Sequence, residues 1–452
     1  MDNRCFGKEE INDKQVANLV NKRILIVGNR MMTKDPNDLM PVYSDIIDVI
    51  QISKKLGIYT IVTDDIQDSP LKAMSDEFFC ISLNELDKIV ELATSKKIDG
   101  VVSGMNEYAI IQTISVSELL RLPFYCTRDQ WDILQNKAKY KELCRAFDVS
   151  VPERFHIDES FKREDLEKIK YPAIIKPVDS SGGTGISVCY SEADLKKGYQ
   201  KALKASKSKQ VILERYMTGE EVTIYYTAQD GYISLSAMSD KCQLKQPNLA
   251  SLPYLLFFPS KHLDQFLKND DEKIRNMLKH IGVKNGFLFI QGFMIDGRFV
   301  TYEMGFRVGG TEVHKIISAI NGVNAYEMIV RHSLTGAMSG WDLKSTDTPN
   351  FNKSVCIWRP FLRSGRINKI IGLDKICKYS ELINNVQFYY EGDVVGGPWV
   401  GTLGQAMLMA TFVAETKEQL VEIVKRAEKA LLVLDEAGEN MLMDINVEDF
   451  DT

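Results

Sequence analysis

The chain has 452 residues, 44% hydrophobic and 26% charged, with a formal net charge of −6. That length exceeds what a single hydrophobic core serves, so several domains or subdomains are expected. No strongly basic block is present, which argues against nucleic acid as the main partner, and no stretch approaches the ~20 apolar residues of a membrane span.

The leader over residues 1–20, MDNRCFGKEEINDKQ at its start, is polar and lacks the apolar core of a signal peptide. The eight cysteines are scattered without a CxxC pair, the usage of a reducing compartment, so the chain reads as cytoplasmic. From residue 21 to about 125, strands and helices alternate. Arg23–Val27 is a buried strand, Tyr43–Leu56 has helical spacing, and IYTIVTDD is a strand ending in acids. Asn84–Lys96 reads as a helix capped by Ser82 or Asn84, and DGVVSG is a third strand. This alternation predicts a doubly wound parallel sheet, whose ligands sit beyond the carboxyl ends of the strands. Gly28-Asn29-Arg30, Asp64-Asp65 and Gly104-Met105-Asn106-Glu107 fall there.

One helix is expected over Asp129–Phe147. The pattern then turns to hairpins, with a helix over Ser191–Ser206 between them. The segment YPAIIKPVDSSGGTGISV places Lys176 at the end of one strand and a glycine run before the next. Glycines let backbone N–H groups approach an anion, Ser and Thr add donors, and a lysine supplies charge, so this loop reads as a phosphate cover as well as a surface turn. Neither GxxxxGK[ST] nor GxGxxG occurs. FLFIQGFMIDGRFVTYE is a hairpin turned at Asp296-Gly297, and a helix follows from Glu312. A polar linker covers 336–352, and an α+β region over 350–452 carries the strand SVCIWRP, a hairpin in NNVQFYYEGDVV, the strand MATFVAET and a helix from Lys417.

Taken in order, NKAKYKELCRAFDVSVP, YPAIIKPVDSSGGTGISV, VILERYMTGEEVT and FIQGFMIDGRFVTYEMGFRVGG resemble the ATP-grasp ligases. The resemblance implies an α/β and α+β architecture. A pre-ATP-grasp domain over 21–125 precedes an ATP-grasp domain over 126–340, with a lid lobe near 150–212, and an α+β domain ends the chain. It implies ATP with Mg2+ (or Mn2+), and carries nucleotide-binding roles onto Lys137, Lys176 and the loop Ser181, Gly182, Gly183, Thr184 and Gly185. Glu214 is then expected near the adenine amino group, with Arg215, Tyr216 and Met217 reading the ring edge and Glu221 on the ribose; strand alternation sets Glu220 on the opposite face.

Gln291 and Glu303, twelve residues apart on two arms of one hairpin, match the metal positions. The family's E-x-N-x-R run stands here as Glu303-Met304-Gly305-Phe306-Arg307, so Gly305 replaces a ligand. Arg307 matches the arginine that meets the phosphoryl group in transit. Lys241, read as lying in a loop with Asp240, is a further catalytic candidate, and His314 and Lys315 are candidates to face the acceptor. The implied reaction joins a small carboxylate to an amine through an acyl phosphate, releasing ADP and phosphate. The alternatives are a carboxyphosphate-forming enzyme that uses bicarbonate and a nucleotide-binding protein without turnover. Homodimerisation is compatible with all three.

Overall fold

The computed structural model describes residues 18–28, 44–180, 184–244, 252–338 and 340–444. Most of the leader, and Asn29 and Arg30, therefore lie outside the described residues. The first sheet has β1 (Arg23–Val27), β2 (Tyr59–Asp64), β3 (Glu77–Cys80) and β4 (Gly100–Ser103) in the order β3-β2-β1-β4, all parallel. Its central strands β1, β2 and β4 are almost wholly buried because helices Ser44–Lys55, Leu86–Ser95 and Glu107–Leu120 cover the sheet, while the edge strand β3 is half-buried to exposed. The second of these helices begins later than expected, at Leu86. Ser82 accepts from Asn84 N and neither residue caps the helix, whose N-cap is Glu85.

The expected single helix over 129–147 is two, Arg128–Gln135 and Lys137–Ala146. Asn136 breaks the run: its backbone is extended at ψ 111°, and its side chain accepts from Ala138 N and Lys139 N to start the second helix. That cap turns Lys137 into the first residue of a new helix, and this decides where its ammonium points.

A small antiparallel sheet follows, with β5 (Arg154–Phe155), β6 (Ala173–Pro177), β7 (Ser187–Cys189) and β8 (Val211–Arg215) in the order β5-β8-β6-β7. Helix Glu192–Ala205 backs it, capped by Ser191. The next strands are β9 (Glu220–Gln229), β10 (Tyr232–Leu244), β11 (Leu252–Phe258), β12 (Gly286–Ile295), β13 (Arg298–Gly305) and β14 (Ser354–Trp358). Asp296 (φ 47°) and Gly297 (φ 77°) both sit in the left-handed region and turn β12 into β13, as an Asp-Gly hairpin requires.

The last strands are β15 (Gly365–Ile371), β16 (Leu382–Gln387), β17 (Val394–Val395), β18 (Leu408–Ala414) and β19 (Leu432–Asp435). The large sheet runs β13-β12-β9-β10-β11-β14-β18-β16, so it continues without a break past the 336–352 linker. The hairpin expected in NNVQFYYEGDVV does not form. β16 pairs with β18 and β17 pairs with β15, because the six residues between them cross from one sheet to the other.

Candidate functional site

One face of the large sheet collects the chemistry. Across β12 and β13, Gln291 lies opposite Glu303; across β9 and β12, Thr223 lies opposite Gln291 and Tyr225 opposite Phe289; across β9 and β10, Thr223 lies opposite Ser239. Cross-strand partners share a face and period-two alternation extends it, so Glu221 and Lys241 join them. Their side chains meet, with Lys241 Nζ 2.7 Å from Glu221 Oε1. Lys241 therefore lies within β10, not in a loop. Asp240 points away, accepting from Lys261 N at 2.9 Å. Glu220 also points away, paired with Lys261 at 2.7 Å.

A β-bulge between Gln291 and Gly292 leaves Tyr302 as the extra residue opposite them. The bulge lets Tyr302 and Glu303, though consecutive, serve the same face: the Tyr302 hydroxyl donates to Glu221. Strict alternation would have sent Tyr302 to the other side, which is why sequence reasoning missed it.

Lys137 reaches the same face from its helix, with Nζ 2.9 Å from Glu303 Oε1 and donating to Ser180 O at 2.6 Å. Desolvation pushes the Glu303 carboxyl up, but the Lys137 charge and hydrogen bond, with Lys176 and Arg307 behind, outweigh it and hold the group below the usual carboxylate range. Gln291 and Glu303 together offer an amide oxygen and a carboxylate, a donor set that fits one hard divalent cation completed by phosphate oxygens and water. A ligand at position 305 is sterically closed. A Cβ there would overlap Cε1 and Cζ of Phe289, and that ring instead lies 5.0 Å from the Arg307 guanidinium.

Arg307 is anchored across to the first sheet's carboxyl edge, with Nη2 3.0 Å from Glu107 Oε1. Among the described residues of the three edge segments, only the last supplies such a contact. Asn106 is spent capping helix Glu107–Leu120, while Asp64 accepts from Ser69 Oγ at 2.8 Å and is raised to about 6 by burial. His314 and Lys315 stand at the start of helix Val313–Asn321 and face Asp48, each with a nitrogen 3.4 Å from its Oδ2. Lys315 Nζ also lies 2.7 Å from Glu312, so the Asp48–Glu312–His314 group already holds a cation of its own.

On the lid side, Lys176 Nζ is 2.9 Å from Glu214 Oε2, and Lys141 pairs with Oε1 of the same carboxylate. Glu214, expected near the adenine amino group, is 0% exposed, with Lys141 at one oxygen and Lys176 at the other. Arg215 N and Tyr216 N donate to Glu153 O and Pro172 O, so among the three hinge residues any contact from Arg215 or Tyr216 to a ring edge falls to their carbonyls. Ser181, Gly182 and Gly183 lie outside the described residues. Thr184 O accepts from Ser180 Oγ at 2.9 Å, and Gly185 (φ 80°) packs where a Cβ would come within 2.6 Å of Ala205. Gly185 thus shapes the loop base.

Sequence reasoning passed over three more residues, Lys141, Phe289 and Arg359, and placed a fourth, Glu107, at the sheet edge without a partner. Lys141 looked like a solvated helix lysine but is 0% exposed. Glu107 and Phe289 hold Arg307 from distant segments. Arg359, just past β14, is buried, with Nε lacking a hydrogen-bond partner and no carboxylate among the described residues at ion-pair distance. Burial pushes its guanidinium down to about 10, against smaller opposing contributions from Tyr225 and Cys356. Tyr225 in turn is surrounded by Thr311, Ser239 and Thr223. A charged group next to Pro360 at a strand end was the available signal; nothing local told which face it takes.

Residues 136–337 match the family model described as the carbamoyl-phosphate synthase L chain, ATP binding domain. The chain is 22% identical over 324 residues to the carbamoyl phosphate synthase large chain of Clostridium beijerinckii, covering 70% of this chain and 29% of the relative, so it spans about a third of that relative's length. Among solved structures it is similar to an L-amino acid ligase from Bacillus licheniformis, at TM-score 0.73 and 17% identity, over 92% of this chain and 99% of that one. It is also similar to the biotin carboxylase domain dimer of a 2-oxoglutarate carboxylase from Hydrogenobacter thermophilus, in complex with MgADP, ADP and bicarbonate, at TM-score 0.70 and 18% identity, over 94% and 92% of the two chains.

Proposed function

We propose, from the premise that the chain belongs to the ATP-grasp ligase superfamily, that it is an ATP- and Mg2+-dependent ligase joining a small carboxylate to an amine. The fold is the ATP-grasp fold, α/β in front and α+β behind, and the matched domain is an ATP-binding one. The observation that carries the finer reading is the single sheet face on which Gln291, Glu303, Glu221 and Lys241 converge, closed by Lys137 and Lys176 from outside the sheet.

In this reading Lys137 and Lys176 meet the phosphates and the 181–185 loop covers them. The hinge residues Arg215, Tyr216 and Met217 meet the adenine edge, and Glu221 takes the ribose hydroxyls. Gln291 and Glu303 would hold the metal, which when bound spreads the charge of the phosphate oxygens. A substrate carboxylate oxygen attacks the γ-phosphorus, the bond to the β-phosphate oxygen breaks, and ADP leaves. The amine nitrogen then displaces phosphate from the acyl phosphate. Arg307, held by Glu107 and stacked on Phe289, faces the phosphoryl group in transit. Arg359, a buried cation with no anion at ion-pair distance among the described residues, takes the substrate carboxylate.

The Arg359 assignment has a signed consequence. Arg359→Met should raise the KM for the carboxylate substrate at least about tenfold, the scale of a lost charge-assisted contact, with the KM for ATP unchanged. It should also raise the melting temperature, because an unpaired buried charge is removed. Steady-state ADP release and thermal unfolding read the two effects. A variant that melts lower with unaltered KM would make Arg359 structural.

The matched carbamoyl-phosphate synthase model and the amide of Gln291 favour a second reading, with bicarbonate in the carboxylate's place. An ADP-release screen of carboxylate and amine pairs, run with and without bicarbonate, decides. Turnover that needs both a carboxylate and an amine supports the first reading. Release driven by bicarbonate alone replaces it with the second, and release in neither case rejects both. Sedimentation of the purified chain would test for a dimer like that of the biotin carboxylase domain.

A further inference from the structure

The charges on the nucleotide side come in two groups of different balance. Lys137 and Glu303 pair one to one. In the other group Lys141 and Lys176 share the single carboxylate of Glu214, with side chains 0%, 6% and 0% exposed for Lys141, Lys176 and Glu214. Two cations against one anion leave one positive charge in surplus, out of water. Burial and the Lys176 charge push the Lys141 ammonium down to about 7, so the surplus is complete on the acid side of that value. Such a surplus is costly unless a ligand answers it.

The backbone shows how the group is built. Ile174 pairs with Glu214 and Lys176 with Ile212, so Glu214 and Lys176 are diagonal neighbours on one face of the small sheet. Lys141 stands one helical turn beyond Lys137. That spacing puts both lysines on one side of helix Lys137–Ala146. One turn thus reaches the large sheet at Glu303 and the next reaches the small sheet at Glu214. Lys176 completes the path, with its ammonium 5.8 Å from the Tyr302 ring centroid.

We propose that Lys141 is a positioning residue for the nucleotide: by occupying one oxygen of Glu214 it keeps Lys176 only half neutralised, so that the surplus charge is presented to the phosphates. Without Lys141, Glu214 and Lys176 collapse into a neutral pair and the attraction is lost. The inference rests on the ATP-binding reading given above.

The test is calorimetry of a non-hydrolysable ATP analogue with magnesium, on variants that change the charge balance in steps. Lys141→Met removes the surplus and should weaken binding at least about tenfold. Lys141→Met/Glu214→Gln removes one charge of each sign and restores it, so binding should return to within about threefold of wild type. Lys141→Arg, which keeps the charge, should stay close to wild type. A purely structural lysine would give the opposite order, with the double variant the weakest. Single-variant affinity equal to wild type, or a double variant below the single, overturns the proposal. Should Lys141→Met not fold, Glu214→Gln and the double variant decide. The former has two unopposed cations and should bind more tightly, and equal affinities overturn the proposal. Wild-type protein that does not bind the analogue would instead reject the ATP reading itself.

Discussion

Glu303→Gln should slow ADP release by at least about a hundredfold, the range seen when a group that stabilises transferring charge is removed. The melting temperature should shift by only a few degrees. Both expectations follow from where Glu303 sits. It stands opposite Gln291 at the bulge of the β12–β13 hairpin, and it is held ionised chiefly by Lys137. The amide of Gln can still accept from Lys137, which also keeps its bond to Ser180 O at 2.6 Å, so little packing is lost. What disappears is the one carboxylate of the metal donor set. Because Lys137 is freed from an anion, the affinity for nucleotide in the absence of magnesium should hold or rise. Calorimetry without metal and ADP release with it test both halves. Ordinary turnover at ordinary magnesium would remove Glu303 from the site.

That prediction uses residues readable in advance, and the reason is local. Gln291 and Glu303 lie on the two arms of one hairpin whose Asp296-Gly297 turn sets the register to within one residue, and the bulge at Gln291 and Gly292 supplies the last step that puts them opposite. Lys176 announces itself by the glycine run beside it, and Lys137 by its place in the resembling segment NKAKYKELCRAFDVSVP, although the Asn136 cap that aims it goes unread. The parallel sheet is equally legible, since its apolar strands and helices alternate simply. What escapes depends on contacts far apart in the chain or on irregular backbone. Tyr302 enters through a bulge that alternation does not anticipate, and Lys141 is buried by a sheet formed some seventy residues later. Glu107 and Arg307 meet across two hundred residues. Lys241 reads as loop because its neighbours Gln243 and Lys245 are polar. The motif sets Glu214 near a ligand and leaves unread the lysines at its two oxygens.

Gly305→Asn should be damaging at every magnesium concentration. The glycine's backbone is not in the left-handed region, so strain is not the obstacle; the Phe289 ring is. An added side chain must expel that ring, at a cost of about 1–3 kcal/mol of stability for overpacking. Its departure also strips Arg307 of its stacking partner. A loss of several degrees in melting temperature and a fall in maximal rate are therefore expected together. Gly305→Asn combined with Phe289→Ala opens the space and should recover much of the stability. If Asn then ligates, the double variant should need less magnesium for half-maximal rate than Phe289→Ala alone. Magnesium titrations with parallel melts measure this. A single variant with unaltered melting and an improved magnesium response would mean that Phe289 does not hold that space.

The unbroken eight-stranded sheet also bears on how the protein can be divided. A cut in the 336–352 segment looks natural from composition, yet it would strip β14 from β11 and leave the Leu255–Phe258 backbone as a bare edge lined by apolar side chains. Exposed edges of that kind recruit other chains. A chain truncated there is expected to be recovered as aggregate, whereas one ending near residue 444 stays monodisperse on gel filtration. The sheet face that carries the candidate site and the C-terminal strands are then not separable modules. Any rearrangement of domains in evolution or in the laboratory would have to carry the β14-β18-β16 strands along as part of the same inherited block.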